Sequence, residues 1–156
     1  MNKNMPKIVV NFTKEGFEKL KQELMDIIAK RPQVLVRMVA AREQGDLSEN
    51  AGYHASKDEL AKIDRRAREL KYLIRIGQIV EVQSDGQIGV GSIVKVTDGK
   101  EEFEYKIVGQ LEADPVKGKL SEVSPIGSAM IGKKVGDEVE VQIPDGKIIY
   151  EILDVK

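Results

Sequence analysis

The sequence predicts an α+β chain: an N-terminal antiparallel coiled-coil hairpin, then a small antiparallel β-sheet domain carrying one short helix. Three observations carry this prediction: two helical seams, a short acidic link between them, and a change of period near residue 77. Phe17, Leu20, Leu24, Ile27, Arg31, Val34, Met38 and Ala41 recur at alternating spacings of three and four. Tyr53, Ser56, Leu60, Ile63, Ala67, Leu70 and Ile74 do the same. Such spacing marks a coiled-coil seam, because only a 3.5-residue repeat keeps one stripe facing a partner helix. The link Gly45-Asp46-Leu47-Ser48-Glu49-Asn50 is short and contains glycine, so the second helix must fold back along the first.

Each element has its own justification. Residues 9–12 form a short extended lead-in, and Thr13 is placed to cap a first helix over residues 14–43. Pro32 lacks an amide donor and crowds the preceding turn, so a kink or short break is expected at Lys30-Arg31-Pro32. Gly45 suits the stop of this helix. The second helix is expected over residues 48–76, ending near Gly77. At ~1.5 Å per residue, two such helices make a rod of roughly 40 Å. Beyond Gln78 the period falls to two. Strands are expected at residues 79–83, 92–97, 102–108, 138–143 and 148–153, with turns at Ser84-Asp85-Gly86, Asp98-Gly99 and Pro144-Asp145-Gly146. Val139 and Val141 alternate with Glu138, Glu140 and Gln142, as in a sheet with one wet face. Ser124-Pro125-Ile126-Gly127 and the residues after it form a capped short helix on that sheet. The two domains are therefore residues 1–77 and 78–156.

Composition narrows the function classes. With aromatics at only 4% and no tryptophan, the core must be aliphatic. No apolar run approaches the ~20 residues needed to cross a bilayer, and no signal-peptide segment opens the chain. The absence of cysteine removes disulfides, thiolate chemistry and Cys-ligated zinc, and the expected location is cytoplasmic. The net charge of −1 divides unevenly, +5 over residues 1–76 and −6 over residues 77–156. A moderately basic rod can approach polyanions, but the excess is too small for a dedicated duplex-DNA binder.

The acidic link has two readings. In the first, Asp46 caps the second helix and Glu49 completes a capping box. In the second, the two carboxylates are presented outward. Mg²⁺ takes hard oxygen ligands, keeps waters, and is usually held by one or two carboxylates plus substrate phosphates. Two carboxylates are too few for a tight independent site, but they can complete one whose other ligands belong to a partner. His54, the only histidine, lacks the companions a metal site requires. Gly52 near the start of the second helix weakens it by roughly 1 kcal/mol relative to alanine.

The run from Ala41 to Ala51, Arg-Glu-Gln-Gly-Asp-Leu-Ser-Glu-Asn between them, followed by Tyr53-His54-Ala55 and Lys57, closely resembles the GreA/GreB family of bacterial transcript cleavage factors. Arg31-Pro32, Ser124-Pro125-Ile126-Gly127 and Ile131-Gly132-Lys133-Lys134-Val135-Gly136-Asp137-Glu138-Val139 extend the resemblance over nearly the whole chain. The resemblance implies that the C-terminal domain is FKBP-like and docks at the rim of the RNA polymerase secondary channel, which the coiled coil enters. It implies an accessory factor, not an enzyme, that stimulates the polymerase's own cleavage of backtracked nascent RNA. Asp46 and Glu49 would then share a Mg²⁺ ion with the polymerase centre, Arg42 and Lys57 would contact the extruded RNA 3′ segment, and Ser124, Pro125 and Ile126 would face the polymerase. No cofactor of its own, no membrane and no small-molecule substrate is implied. Arg42 and Lys57 also read as ordinary solvated charges, and Ser124 as a helix cap. The run Arg65-Arg66-Ala67-Arg68 resembles the GreB branch, whereas Leu47 and His54 resemble the GreA branch. Paralogues that inhibit by occluding the channel carry altered or more acidic tips, unlike the plain Asp-x-x-Glu here. Ser128 and Gly52 depart from the family pattern, where Arg and an acidic residue are usual.

Overall fold

The computed structural model describes residues 9–46, 49–81, 86–144 and 146–156. Contacts divide the chain into two compact units, Glu18–Ile76 on one hand and, on the other, the described residues through Phe17 with Gly77–Lys156. A linear cut at residue 77 differs from this division chiefly in the segment before Glu18. The reason is pairing: strand β1 (Val10–Phe12) lies parallel to β2 (Gly77–Ile79), with Val10 opposite Gly77 and Phe12 opposite Ile79. Among the described residues no helix is long and apolar enough to cross a membrane.

The first unit is the expected hairpin. Helix α1 spans Lys14–Arg42 and α2 spans Ala51–Ile76. Every predicted seam position is buried or half-buried except Arg31, and nearly all remaining positions of α1 are exposed. Val34, Leu60 and Leu70 are the buried apolar centre of this seam, and Ser56 is buried with them. Arg31 replaces seam packing with a two-pronged ion pair across the helices, Nε to Asp64 Oδ1 at 2.7 Å and Nη2 to Oδ2 at 3.2 Å. The hydrogen bond from Arg31 lowers the Asp64 carboxyl below its ordinary value. A lowered carboxyl stabilises the fold only while ionised, so this contribution fades as pH falls through its folded value. Arg66 bonds Glu23 across the hairpin at 2.7 and 3.0 Å and Glu69 along its own helix at 2.9 Å. Of the kink or short break expected at Pro32, the break does not occur. Helix α1 runs through Pro32 without interruption, because one missing amide costs less than the seam contacts of Ile27, Val34 and Met38 on either side supply.

In the second unit, five strands lie in the order β5-β4-β3-β7-β6, comprising β3 (Ile93–Thr97), β4 (Glu102–Val108), β5 (Lys119–Ser121), β6 (Glu138–Ile143) and β7 (Gly146–Val155). All neighbours are antiparallel except β4 and β5, which are parallel and joined through two 3₁₀ turns. Val94, Val96, Val139, Val141, Tyr150 and Ile152 point into the core, where Ile88, Ile107, Leu120 and Met130 meet them. Asp98 shapes the β3–β4 turn by accepting from the amides of Lys100 and Glu101, both at 2.9 Å. Helix α3 (Pro125–Met130) buries Met130 completely, and Ser124 caps it as expected. Gly127 lets α3 approach β5, since a Cβ there would lie 2.0 Å from the Ser121 carbonyl oxygen. The strand expected at residues 79–83 starts two residues earlier and pairs with β1, because Gly77 ends α2 and the chain extends at once. Val80 and Glu81 lie outside the strand, and residues 82–85 and 145, with parts of two expected turns, lie outside the described residues. Strand β5, three residues long, is too short to show an alternating pattern.

The start of α1 has a second device. Thr13 accepts from the Gly16 amide at 3.0 Å, as a cap should. Its own amide donates to Glu112 Oε2 at 2.7 Å, and its hydroxyl donates to Glu112 Oε1 at 2.5 Å. Gly16 makes room for that carboxylate, which a Cβ would meet at 2.0 Å. Two conditional effects follow. Glu112→Ala lowers stability by about 1–3 kcal/mol, as loss of a charged acceptor does. In the parent, Gly16→Ala is neutral or destabilising because it displaces the carboxylate. In the Glu112→Ala background the same change stabilises by up to about 1 kcal/mol, the helix-propensity gain alone. Urea denaturation of the four proteins measures this sign reversal. Additive effects in the two backgrounds would show that the carboxylate does not occupy the space above Gly16.

Candidate functional site

The link between the helices is built from α1's last turn, a glycine and an asparagine. After Arg42 the chain makes one further helix-type bond, Glu43 amide to Val39 carbonyl at 3.2 Å, and then turns. Gly45 has φ +119°, a conformation that side chains other than glycine's rarely adopt. Asp46 and Glu49 follow, both exposed, at the end of the hairpin where α1 stops and α2 begins. Leu47 and Ser48 lie outside the described residues.

The capping-box reading of the acidic pair is corrected here. Helix α2 begins at Ala51, three residues later than expected, and its cap is Asn50. The Asn50 side-chain oxygen accepts from the Tyr53 amide at 2.9 Å, while its side-chain nitrogen donates to the Ala41 carbonyl at 2.7 Å. One amide thus fills a free donor of α2 and adds a second bond to the Ala41 carbonyl, which also accepts from the Gln44 amide at 3.2 Å, joining the two helix ends. Asp46 and Glu49 precede the helix and are not its caps. Asparagine directly before an apolar periodic run was the available signal. It was masked by the stronger-looking Asp-x-x-Glu pattern.

Arg42 ends α1 and Lys57 lies in the second turn of α2, both exposed and without an ion pair among the described residues. The hairpin's closed end therefore carries two carboxylates and two cations on adjoining helix ends. Tyr53 is half-buried on the seam and meets His54 edge-on, with ring centroids 5.5 Å apart. Gly52 occupies the first turn of α2, where a Cβ would make ordinary contacts with Asn50 at 3.4 Å and Ala41 at 3.8 Å. Arg66 leaves the basic run through its bonds to Glu23 and Glu69, so Arg65 and Arg68 remain of the expected cluster. Among the described residues no group of three or more His, Asp or Glu side chains could hold a metal ion. Two exposed carboxylates fit the part a protein plays when phosphates, waters or a partner supply the remaining oxygens.

Ser124, Pro125 and Ile126 lie together in the other unit. The Ser124 hydroxyl is committed to structure, accepting from the Gly127 amide at 3.0 Å and donating to the Ser121 carbonyl at 2.7 Å. Ile126 is half-buried against the sheet core, and Pro125 is exposed. Val123, absent from the sequence reading, is exposed immediately before them. Of Val123, Ser124, Pro125 and Ile126, Val123 and Pro125 are the exposed ones.

Sequence relatives agree with this architecture in both units. Residues 10–79 match the family model described as transcription elongation factor, N-terminal, and residues 83–156 match transcription elongation factor, GreA/GreB, C-term. The chain is 46% identical over 149 residues to the transcription elongation factor GreA of Clostridium botulinum, covering 92% of each chain. It is 45% identical over 148 residues to the GreA of Mesoplasma florum, covering 92% of this chain and 95% of the relative. Among solved structures, GreA factor homolog 1 (Gfh1) of Thermus thermophilus is 29% identical with a TM-score of 0.45, over 96% of this chain and 99% of that one.

The cap assignment is directly measurable. Asn50→Ala costs about 1–2 kcal/mol in the unfolding transition followed by far-ultraviolet circular dichroism, because it leaves the Tyr53 amide unpaired and removes the tie to the Ala41 carbonyl. Asn50→Asp keeps the acceptor and costs less. Glu49→Gln changes stability by less than about 0.5 kcal/mol. A larger loss from Glu49→Gln than from Asn50→Ala would return the cap to the acidic pair.

Proposed function

The chain belongs to the GreA/GreB family of transcription elongation factors, and from that premise we propose that it stimulates RNA polymerase to cleave backtracked nascent RNA. The hairpin enters the polymerase secondary channel with its closed end foremost, and the sheet unit docks at the rim. The observation that carries this reading is the division of labour at the hairpin's closed end. Asn50 performs the capping of α2, and Asp46 and Glu49 are exposed at the same end.

Inside the channel, Asp46 and Glu49 offer oxygen ligands that complete a Mg²⁺ site otherwise built by polymerase and RNA. A metal ion shared in this way supplies charge stabilisation and an activated water for phosphodiester hydrolysis. The chain's own contribution is positional. Asn50 joins the two helix ends that flank the carboxylates, so the hairpin delivers both to one place. Arg42 and Lys57 lie beside them and attract the phosphates of the extruded RNA 3′ segment, as point charges that position without reading sequence. In the sheet unit, Pro125 and Val123 are the surfaces we assign to polymerase docking, with Ser124 and Ile126 holding them in place. On this reading the chain is an accessory factor of the cytoplasm and is not an enzyme on its own.

A backtracked elongation complex tests the proposal. Adding the chain accelerates release of the RNA 3′ fragment. Asp46→Asn with Glu49→Gln abolishes at least about 99% of that stimulation while polymerase binding changes by less than about threefold, the signature of groups that act on the reaction and not on docking. Arg42→Ala with Lys57→Ala gives a smaller loss that grows with salt. Full stimulation by the carboxylate double variant, or RNA cleavage by the chain and Mg²⁺ without polymerase, contradicts the assignment. So does inhibition of ongoing synthesis by the unaltered protein.

A further inference from the structure

The loop that leads from β5 into α3 opens with a carboxylate. Glu122 directly precedes Val123, Ser124 and Pro125, and it is half-buried. Its amide donates to the Val108 carbonyl at 2.9 Å, which ties the backbone to β4. Its side chain is tied elsewhere. Asn11 Nδ2 donates to Glu122 Oε2 at 3.0 Å, across 111 positions of chain. Among the described residues no lysine or arginine forms an ion pair with Glu122, so Asn11 is the side chain that holds this charge.

Asn11 is a fixed post. Strand β1 pairs with β2, and Asn11 lies opposite Gln78. The Asn11 carbonyl oxygen lies against Gly109, where a Cβ would come within 1.8 Å of it. Phe12 and Thr13, which follow, are buried, and Thr13 is gripped by both oxygens of Glu112. A donor held in this way does not follow a wandering carboxylate. The carboxylate settles where the donor is.

The direction of that charge matters because of what adjoins it. Val123 and Pro125 are apolar and exposed, Val123 at 61%. When a partner covers apolar surface, a loose carboxylate beside it loses water without gaining a counter-charge, which is costly. A bond from a neutral amide to a carboxylate is stronger than one between neutral groups. It therefore restrains Glu122 without placing a second charge near the apolar pair.

We infer that Asn11 is a positioning residue for polymerase docking: it holds the Glu122 carboxylate toward β1 and off the apolar surface of Val123 and Pro125. The inference rests on the docking role proposed above for that surface. It adds a residue from the strand before α1, one that acts through Glu122.

Two measurements on the full chain test it: equilibrium binding to core RNA polymerase, and RNA 3′-fragment release from a backtracked complex over a range of factor concentrations. Asn11→Ala weakens polymerase affinity about five- to tenfold, the order expected when a hydrogen bond to a charged group is removed. The factor concentration for half-maximal cleavage rises in the same proportion, while the rate at saturation is unchanged. Glu122→Gln alone shifts affinity by less than about twofold. Added to Asn11→Ala, it restores affinity to within about twofold of the unaltered protein, because the released side chain no longer carries a charge. A purely structural role for Asn11 gives the same loss whether or not residue 122 is charged. Val123→Ser reports on docking separately, by weakening binding wherever that surface is covered. Unchanged affinity in Asn11→Ala, with binding weakened by Val123→Ser, overturns the inference and leaves the docking reading in place. So does an Asn11→Ala loss that Glu122→Gln fails to relieve. Unchanged affinity in both Asn11→Ala and Val123→Ser ends the docking reading and the inference with it.

Discussion

The side chain of Asn50 is the constraint on which the hairpin's closed end depends. A helical hairpin exposes free carbonyls where its first helix stops and free amides where its second begins. Here one planar amide serves both, donating to Ala41 and accepting from Tyr53. Because the cap is neutral and lies at the base of the loop, the acidic residues need not serve it. The cap thus joins the two helix ends while both carboxylates stay exposed.

The rest of the hairpin keeps that end firm through means of unequal strength. The buried centre at Val34, Leu60 and Leu70 supplies most of the stabilisation, since burial of aliphatic side chains is worth about 1.5–3 kcal/mol each. The ion pairs of Arg31 with Asp64 and Arg66 with Glu23 are solvent-exposed enough that each contributes little alone. They set register more than they set stability. Each links a residue of α1 to one of α2, and a slip of one residue would break both. In the other unit the same division recurs. The aliphatic core holds the sheet, while the Ser124 cap and the close approach at Gly127 fix where α3 lies, and with it the exposed Val123 and Pro125.

Local and periodic features were legible in the sequence. The seam positions came from spacing alone, and β4, β6 and the Ser124 cap came from alternation and capping rules. Even Arg31, read as a seam residue, faces the partner helix, although through Asp64 and not through packing. What stayed hidden depends on residues far apart in the chain. Glu112 reaches Thr13 across 99 positions, and no window of sequence contains both. The parallel pairing of β1 with β2 and of β4 with β5 is equally non-local, and both short strands lack an alternating pattern long enough to recognise. That Pro32 does not break α1 has a different reason. The rule concerns an isolated helix, whereas packing on both sides of the proline carries this one through. At the functional end, the acidic pair and its basic neighbours were visible as a motif, but the identity of the cap was a competition between two patterns that only geometry decides.

The family fixes the broad role, transcription elongation, and the chemistry proposed for it rests on the two exposed carboxylates. That chemistry comes down to whether the two carboxylates share a metal with the polymerase. The Mg²⁺ dependence of RNA cleavage in a backtracked complex reports on this directly. The account predicts that the chain lowers the Mg²⁺ concentration needed for half-maximal cleavage and that Asp46→Asn removes this shift. A chain that raises the cleavage rate while leaving the Mg²⁺ dependence where polymerase alone sets it would contradict the account.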